Sequence, residues 1–244
     1  MNNIRNIFNT KNKCITFYLT VGYPNEDEFF RALDILVKNG MDILELGIPV
    51  EKPHLDGRTI ANTHHKVIEK GFNQSILVKF LVKIREKYPR LPLAIMSYLE
   101  GINKYNLLAK GEYYDAILCP DEYLVRGNNN TNIIQMYNEE MSGEEIKEQL
   151  LNNQGFAYVV TGAGTTGGKG DLHNGYLYTM KKIKGLSSIP IQIGFGIYSP
   201  QQVRTILDNG ADGVIIGSEI TRRIDQCNEE ELRRYIQSII KARG

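Results

Sequence analysis

The sequence predicts a (β/α)8 TIM barrel. Two observations carry that prediction: short β-branched runs alternate with longer amphipathic ones along the whole chain, and the short runs number eight, the count that closes a parallel sheet on itself. A third observation is that no antiparallel edge or second apolar block interrupts the alternation, as an open doubly wound sheet would lead one to expect. The length of 244 residues suits a single barrel domain over 1–244, because such barrels run to ~250 residues as one unit.

Taken in order, strands are expected at 14–21 (CITFYLTV), 42–46 (DILEL), 93–96 (LAIM), 116–119 (AILC), 133–136 (IIQM), 157–160 (AYVV), 190–193 (PIQI) and 213–216 (GVII). Helical periodicity falls between them at 26–38, 60–70 with 75–88, 102–109, 143–152, 176–186, 200–209 and 229–242. Gly40 and Gly210 follow Asn39 and Asn209, where left-handed caps belong. One crossover departs from the pattern: residues 120–132 (PDEYLVRGNNNTN) are barely the dozen a parallel connection needs, and their second half is turn-formers. The helix after strand four is expected to be shortened or missing.

Composition excludes several classes. Lys and Arg total 29 against 28 Asp and Glu, a formal charge of +1, so no basic surplus exists to engage nucleic acid or an anionic membrane. No apolar run nears the ~20 residues of a spanning helix. The polar start MNNIRNIFNTKNK lacks the apolar core of a secretory signal, and Cys14, Cys119 and Cys227 have no metal-like spacing, so a reducing cytoplasm is expected and no metal site.

In a barrel the chemistry lies at the C-terminal ends of the strands. Glu45 stands on an otherwise apolar second strand, where burial disfavours its charged form and raises its pKa, so it reads either as a general acid and base or as a structural carboxylate bonded to neighbouring backbone. Gly194-Phe-Gly196 after strand seven and Gly217-Ser218 after strand eight have the composition of a phosphate cradle, in which glycine lets the backbone approach and N–H groups face the oxyanion. Residues 161–171, with Gly162, Gly164, Thr166, Gly167 and Lys169, form a glycine-rich run on the same face that reads as a lid or as a plain linker. His64 and His65 are adjacent on a helical pattern, cannot form an i,i+4 zinc pair, and are expected on a solvated face. His173 lies near the lid without a role. Lys52 and Lys169 stand in polar loops, which argues against a Schiff-base aldolase.

Together these windows resemble the tryptophan synthase alpha subunit family over nearly the entire chain. The residues are Thr20-Val-Gly-Tyr-Pro, Glu45-Leu-Gly-Ile-Pro with Pro53-x-x-Asp56-Gly57, Met96-Ser-Tyr98, Pro120-Asp121, the run from Thr161 to Gly167, Gly194-Phe-Gly196-Ile and Gly217-Ser218. The resemblance implies cofactor-free cleavage of indole-3-glycerol phosphate to indole and glyceraldehyde 3-phosphate. It implies that Glu45 shuttles protons, Asp56 holds the indole N–H, Tyr158 lies near the reacting hydroxyl, Thr166 orients Asp56 from a lid that includes Gly164, and Gly167, Gly196, Gly217 and Ser218 hold the phosphate.

The resemblance also implies a β subunit as partner, met partly through the loop after strand two. There the chain departs from the family, with Val50-Glu51-Lys52 for the usual Phe-Ser-Asp and Arg58 for proline; Gly162 replaces the usual arginine and Glu100 a frequent asparagine. Lys52 and Arg58 count against normal β pairing. Two further readings stand beside the family's: a related phosphate-binding lyase with another substrate, and a non-catalytic interaction or activator homologue. Retention of both Glu45 and Asp56 argues against the last.

Overall fold

The strands bury both faces, which explains why they read as continuous apolar runs rather than alternating ones. In the computed structural model, which describes residues 3–125, 131–161 and 173–244, they are β1 (Cys14–Thr20), β2 (Ile43–Gly47), β3 (Leu93–Met96), β4 (Ala116–Leu118), β5 (Asn132–Tyr137), β6 (Ala157–Val160), β7 (Ile191–Gly194) and β8 (Gly213–Ile216). Each pairs in parallel with its chain neighbours, and β8 returns to β1 through Cys14↔Gly213 and Phe17↔Ile216, closing the expected barrel. Every expected strand is present, displaced by a residue or two at several ends.

The helices are α1 (Asn3–Thr10), α2 (Glu26–Lys38), α3 (Arg58–Glu69), α4 (Gln74–Lys87), α5 (Leu99–Lys104), α6 (Gly143–Leu151), α7 (Gly175–Leu186), α8 (Pro200–Asp208), α9 (Ser218–Asp225) and α10 (Glu229–Ala242). Their starts are written in the sequence. Asn25, Asn73 and Asn228 accept N–H bonds from the first turns of α2, α4 and α10, and Ser142 and Ser199 form capping boxes with Glu145 and Gln202. The pattern at 102–109 resolves into α5, which starts three residues early, and a 3-10 turn at Leu107–Lys110. Among the described residues between β4 and β5, none is helical.

The core has two layers. Leu, Ile and Phe side chains fill the space between sheet and helices, while Tyr18, Ile43, Ala94, Met96, Ala116, Ile134, Phe156, Tyr158 and Ile215 fill the barrel itself. α1 closes the lower end: Ile4 is fully buried and Phe8 packs on Phe156 with ring centroids 6.0 Å apart. Sequence reading passed over this helix because its surroundings are polar, although Ile4, Ile7 and Phe8 keep the i, i+3, i+4 spacing of one face. Asp42 ties both ends of the chain to the same rim, accepting from Ile15 N–H at 2.8 Å, Arg243 at 2.6 Å and Lys11. The packed lower end leaves the upper mouth as the open side of the barrel.

Candidate active site

Glu45 sits at mid-length of β2, in register with Tyr18 on β1 and Ala94 on β3, and is 3% exposed. Burial, and then the charge of nearby Asp56, push its carboxyl up to about 8. A carboxyl in this state holds its proton at neutral pH and can also give it up, the property required of a group that acts first as acid and then as base. Asp56 comes from the loop after β2 and is half-buried. Tyr98, at the end of β3, donates its hydroxyl to Asp56 Oδ2 at 2.9 Å and accepts from Leu55 N–H at 3.1 Å, so one phenol holds both the carboxylate and its loop.

Tyr158 on β6 is buried, packed edge-on to Phe195 and stacked beside Phe156. Its ring lies across β7: a Cβ on Gly194 would fall 2.4 Å from the Tyr158 hydroxyl. Burial first, and then the charges of Glu45 and Asp56, push this phenol well above its ordinary range, which keeps it a hydrogen-bond donor. All three expected catalytic residues line one open pocket.

Another part of that pocket's lining is backbone. Phe195 and Gly196 are consecutive left-handed residues, φ 71° and 69°, in the turn after β7, and Thr161 Oγ1 donates to Phe195 O at 3.0 Å to hold it. Gly217 caps α9, whose first intrahelical N–H bond is made by Thr221, so the N–H groups of Ser218, Glu219 and Ile220 have no partner within the helix and form its positive end. Gly196, Gly217 and Ser218 all line the pocket. Sequence reasoning missed Arg222, which lines it too and is the one cationic side chain among the described lining residues. It stands one turn after Ser218, and helical side chains lean toward the N-terminus, so its guanidinium serves the same end of α9; Glu219 steadies its Nε at 3.0 Å.

The structure overturns one expectation. His64 is not on a solvated face but 2% exposed, while His65 is exposed as anticipated. α3 turns His64 inward, where it accepts from Val50 N–H through Nδ1 at 3.3 Å and meets the Tyr18 hydroxyl through Nε2 at 3.2 Å. Burial lowers its pKa to about 4, so the ring is neutral. The i, i+4 spacing of Ile60 and His64, with Val67 following, gave the signal; reading the His pair as polar hid it. His173 faces Glu139 at 3.5 Å. Gly162, Gly164, Thr166, Gly167 and Lys169 lie outside the described residues. In loop two, Lys52 and Arg58 are exposed, and the departure at Glu100 has a local explanation: its Oε1 accepts Glu51 N–H at 3.1 Å, fastening the loop to α5.

The fold and the pocket together define a class: a (β/α)8 barrel enzyme whose pocket is lined by a buried, high-pKa carboxyl and by the start of a helix. Residues 4–243 match the tryptophan synthase alpha chain family, and the chain belongs to it. Curated alpha chains of Cyanidium caldarium (29% identity; 98% of this chain, 95% of that one) and Staphylococcus carnosus (30%; 88% and 91%) are similar along their length. The fold superposes on tryptophan synthase from M. tuberculosis (TM-score 0.85, 20% identity, full coverage of both chains). It also superposes on an alpha-subunit mutant from Pyrococcus furiosus (0.82, 23%, 95% and 99%).

Proposed function

We propose that Glu45, Asp56 and Tyr158 carry out the family's reaction in this chain, with Gly196, Gly217 and Ser218 gripping the phosphate. The chain is a lyase of tryptophan biosynthesis that cleaves indole-3-glycerol phosphate to indole and glyceraldehyde 3-phosphate. Breaking the carbon–carbon bond requires an electron sink. Glu45, protonated at neutral pH, supplies one by protonating indole C3. As a carboxylate it then takes the proton of the side-chain hydroxyl while the carbonyl forms and the bond electrons return to the ring. Asp56, held by Tyr98, receives the indole N–H and stabilises the positive charge that C3 protonation creates. Tyr158 donates near the reacting hydroxyl.

The phosphate meets the N–H groups at the start of α9, with Arg222 adding charge, so neutrality of the whole chain is no obstacle to binding one phosphate. Thr166 and Gly164 as lid residues, and Gly167 on the phosphate, complete the assignment from the sequence. The observation that carries the reading is that Glu45 and Gly217-Ser218 line one and the same pocket. The same reading takes 1–244 as one domain in the cytoplasm. Among the described residues no helix is long and apolar enough to cross a membrane. Alpha subunits of this family pair with a β subunit; this chain pairs likewise, through a face on which Lys52 and Arg58 alter the charge.

The test is release of indole from indole-3-glycerol phosphate by the purified chain, with and without a β subunit. Release in either condition supports the reading. A folded chain that releases none in both would overturn it.

A further inference from the structure

Beside Glu45 stands a polar group that the reaction as written does not use. Tyr18 is the register partner of Glu45, is 5% exposed, and lines the same pocket. Its ring crosses β2 in the way that Tyr158 crosses β7. A Cβ on Gly47 would fall 1.9 Å from the Tyr18 hydroxyl, so this residue must be glycine for the phenol to lie where it does. The two phenols and two carboxyls are close enough that Asp56, Glu45 and Tyr98 all act on Tyr18 after burial itself, raising it well above the ordinary phenol range.

The orientation of the hydroxyl follows from its neighbours. Val50 N–H donates to His64 Nδ1, which must therefore be unprotonated, and the neutral ring then carries its one proton on Nε2. Nε2 lies 3.2 Å from the Tyr18 oxygen, so the imidazole donates to the phenol and occupies one of its lone pairs. Thr20 Oγ1, also 3.2 Å away, donates to the same oxygen, so the phenol's own proton is used by neither neighbour and is left to point into the pocket that Tyr18 lines. Thr20 is itself held by Thr63 at 2.5 Å. Accepting a hydrogen bond makes a hydroxyl a stronger donor.

We propose that Tyr18 is a further substrate-contacting residue of the cleavage, donating its O–H to the substrate hydroxyl oxygen whose proton passes to Glu45, with His64 as the positioning residue that orients the phenol. The inference rests on the retro-aldol reading above. In the step, the hydroxyl O–H breaks and its proton goes to the Glu45 carboxylate. The electron pair stays on oxygen as C=O forms, and the carbon–carbon pair returns to the ring. Tyr18 keeps its own proton throughout and steadies the oxygen while it is losing one. A donor standing next to the base that removes the proton meets the same oxygen, which is why the register pairing of Tyr18 with Glu45 matters.

The experiment compares the parent chain with Tyr18→Phe, His64→Leu and the double variant by indole release, alongside imidazole ¹⁵N NMR of His64. Tyr18→Phe should lower kcat on the order of 10- to 100-fold, below the loss typical of a dedicated oxyanion donor, with KM changed less than about threefold. His64→Leu should lose part of that factor, and the double variant should be no slower than Tyr18→Phe alone, because His64 acts through the phenol. His64 should report the neutral Nε2–H form from pH 5 to 9. Parental kcat in Tyr18→Phe, losses that multiply in the double variant, or a proton on Nδ1 would each overturn the inference. If Tyr18→Phe does not fold, His64→Leu at parental kcat, or the Nδ1–H form, overturns it alone. A parent that releases no indole removes the reading and this inference together; an active parent with an unaffected Tyr18→Phe removes only the inference.

Discussion

Two regions of the pocket lining are built from different materials. Around β2 the lining groups are side chains, Glu45, Asp56 and Tyr18, buried or half-buried, with Asp56 tied to Tyr98 and Tyr18 to His64 by hydrogen bonds. Around β7 and β8 they are largely backbone, the turn at Phe195-Gly196 and the start of α9, with Tyr198, Ser218 and Arg222 among the polar side chains. A phosphate keeps its charge through the reaction and needs only fixed donors, which a helix terminus supplies at no desolvation cost of its own. The reacting centre changes its protonation twice and needs a group whose pKa lies near the working pH, which only a buried side chain with chosen neighbours provides. On the proposed reading, binding falls to backbone and chemistry to side chains.

That division can be broken by substitution. Glu45→Gln should have the largest effect, lowering indole release on the order of 10³-fold while titration with inorganic phosphate still shows binding; turnover near the parent would show that the acid lies elsewhere. Asp56→Asn should lower kcat somewhat less, roughly 10²-fold. By removing the charge that raises Glu45, it should also move the alkaline limb of the rate profile, set near pH 8 in the parent, toward lower pH. An unmoved limb would separate the two carboxyls.

Smaller effects are expected where a position supports the site from outside. Gly47→Ala forces the Tyr18 ring off β2 and should destabilise the fold by about 1–3 kcal/mol in a urea melt, with loss of activity; a neutral result would mean that the ring relocates freely. Ser218→Ala removes one hydroxyl donor to a charged group and should raise KM by about tenfold with kcat little changed; a selective fall in kcat would place Ser218 among the chemical groups instead.

A separate effect is on stability against pH. Glu45 has a folded pKa raised from 4.5 to about 8, so the folded state holds a proton that the unfolded chain has released. Its contribution is intact below pH 4.5, and stability falls as pH rises from there to about 8. Glu45→Gln should flatten that decline and gain on the order of a few kcal/mol at pH 8 in chemical denaturation; equal slopes for parent and variant would show that Glu45 is ionised when folded.

Much of this was legible in the residues. Eight apolar runs between amphipathic segments specify a parallel barrel because each strand is buried on both faces. Glu45 stood out because a carboxylate on such a strand is costly, and Gly217-Ser218 because glycine before a helix start makes an anion site. The partners of these groups were not legible. His64 and His65 are indistinguishable as letters, yet α3 sends one inward and the other to solvent. Tyr98 was visible only as part of a motif, and its hold on Asp56 spans 42 positions. Arg222 fell between strand eight and the last expected helix, in a stretch for which the sequence reading assigned it no role.

The sequence by itself determined the barrel, the acid on β2 and the glycine turns, because periodicity, burial cost and backbone freedom are properties of neighbouring residues. Only the tertiary structure decided that Tyr18 stands beside Glu45 with His64 against its hydroxyl, that Tyr98 holds Asp56, and that Arg222 lines the same pocket. Contacts between side chains on separate strands and helices follow from how the closed sheet rotates each element, and no local pattern encodes that rotation.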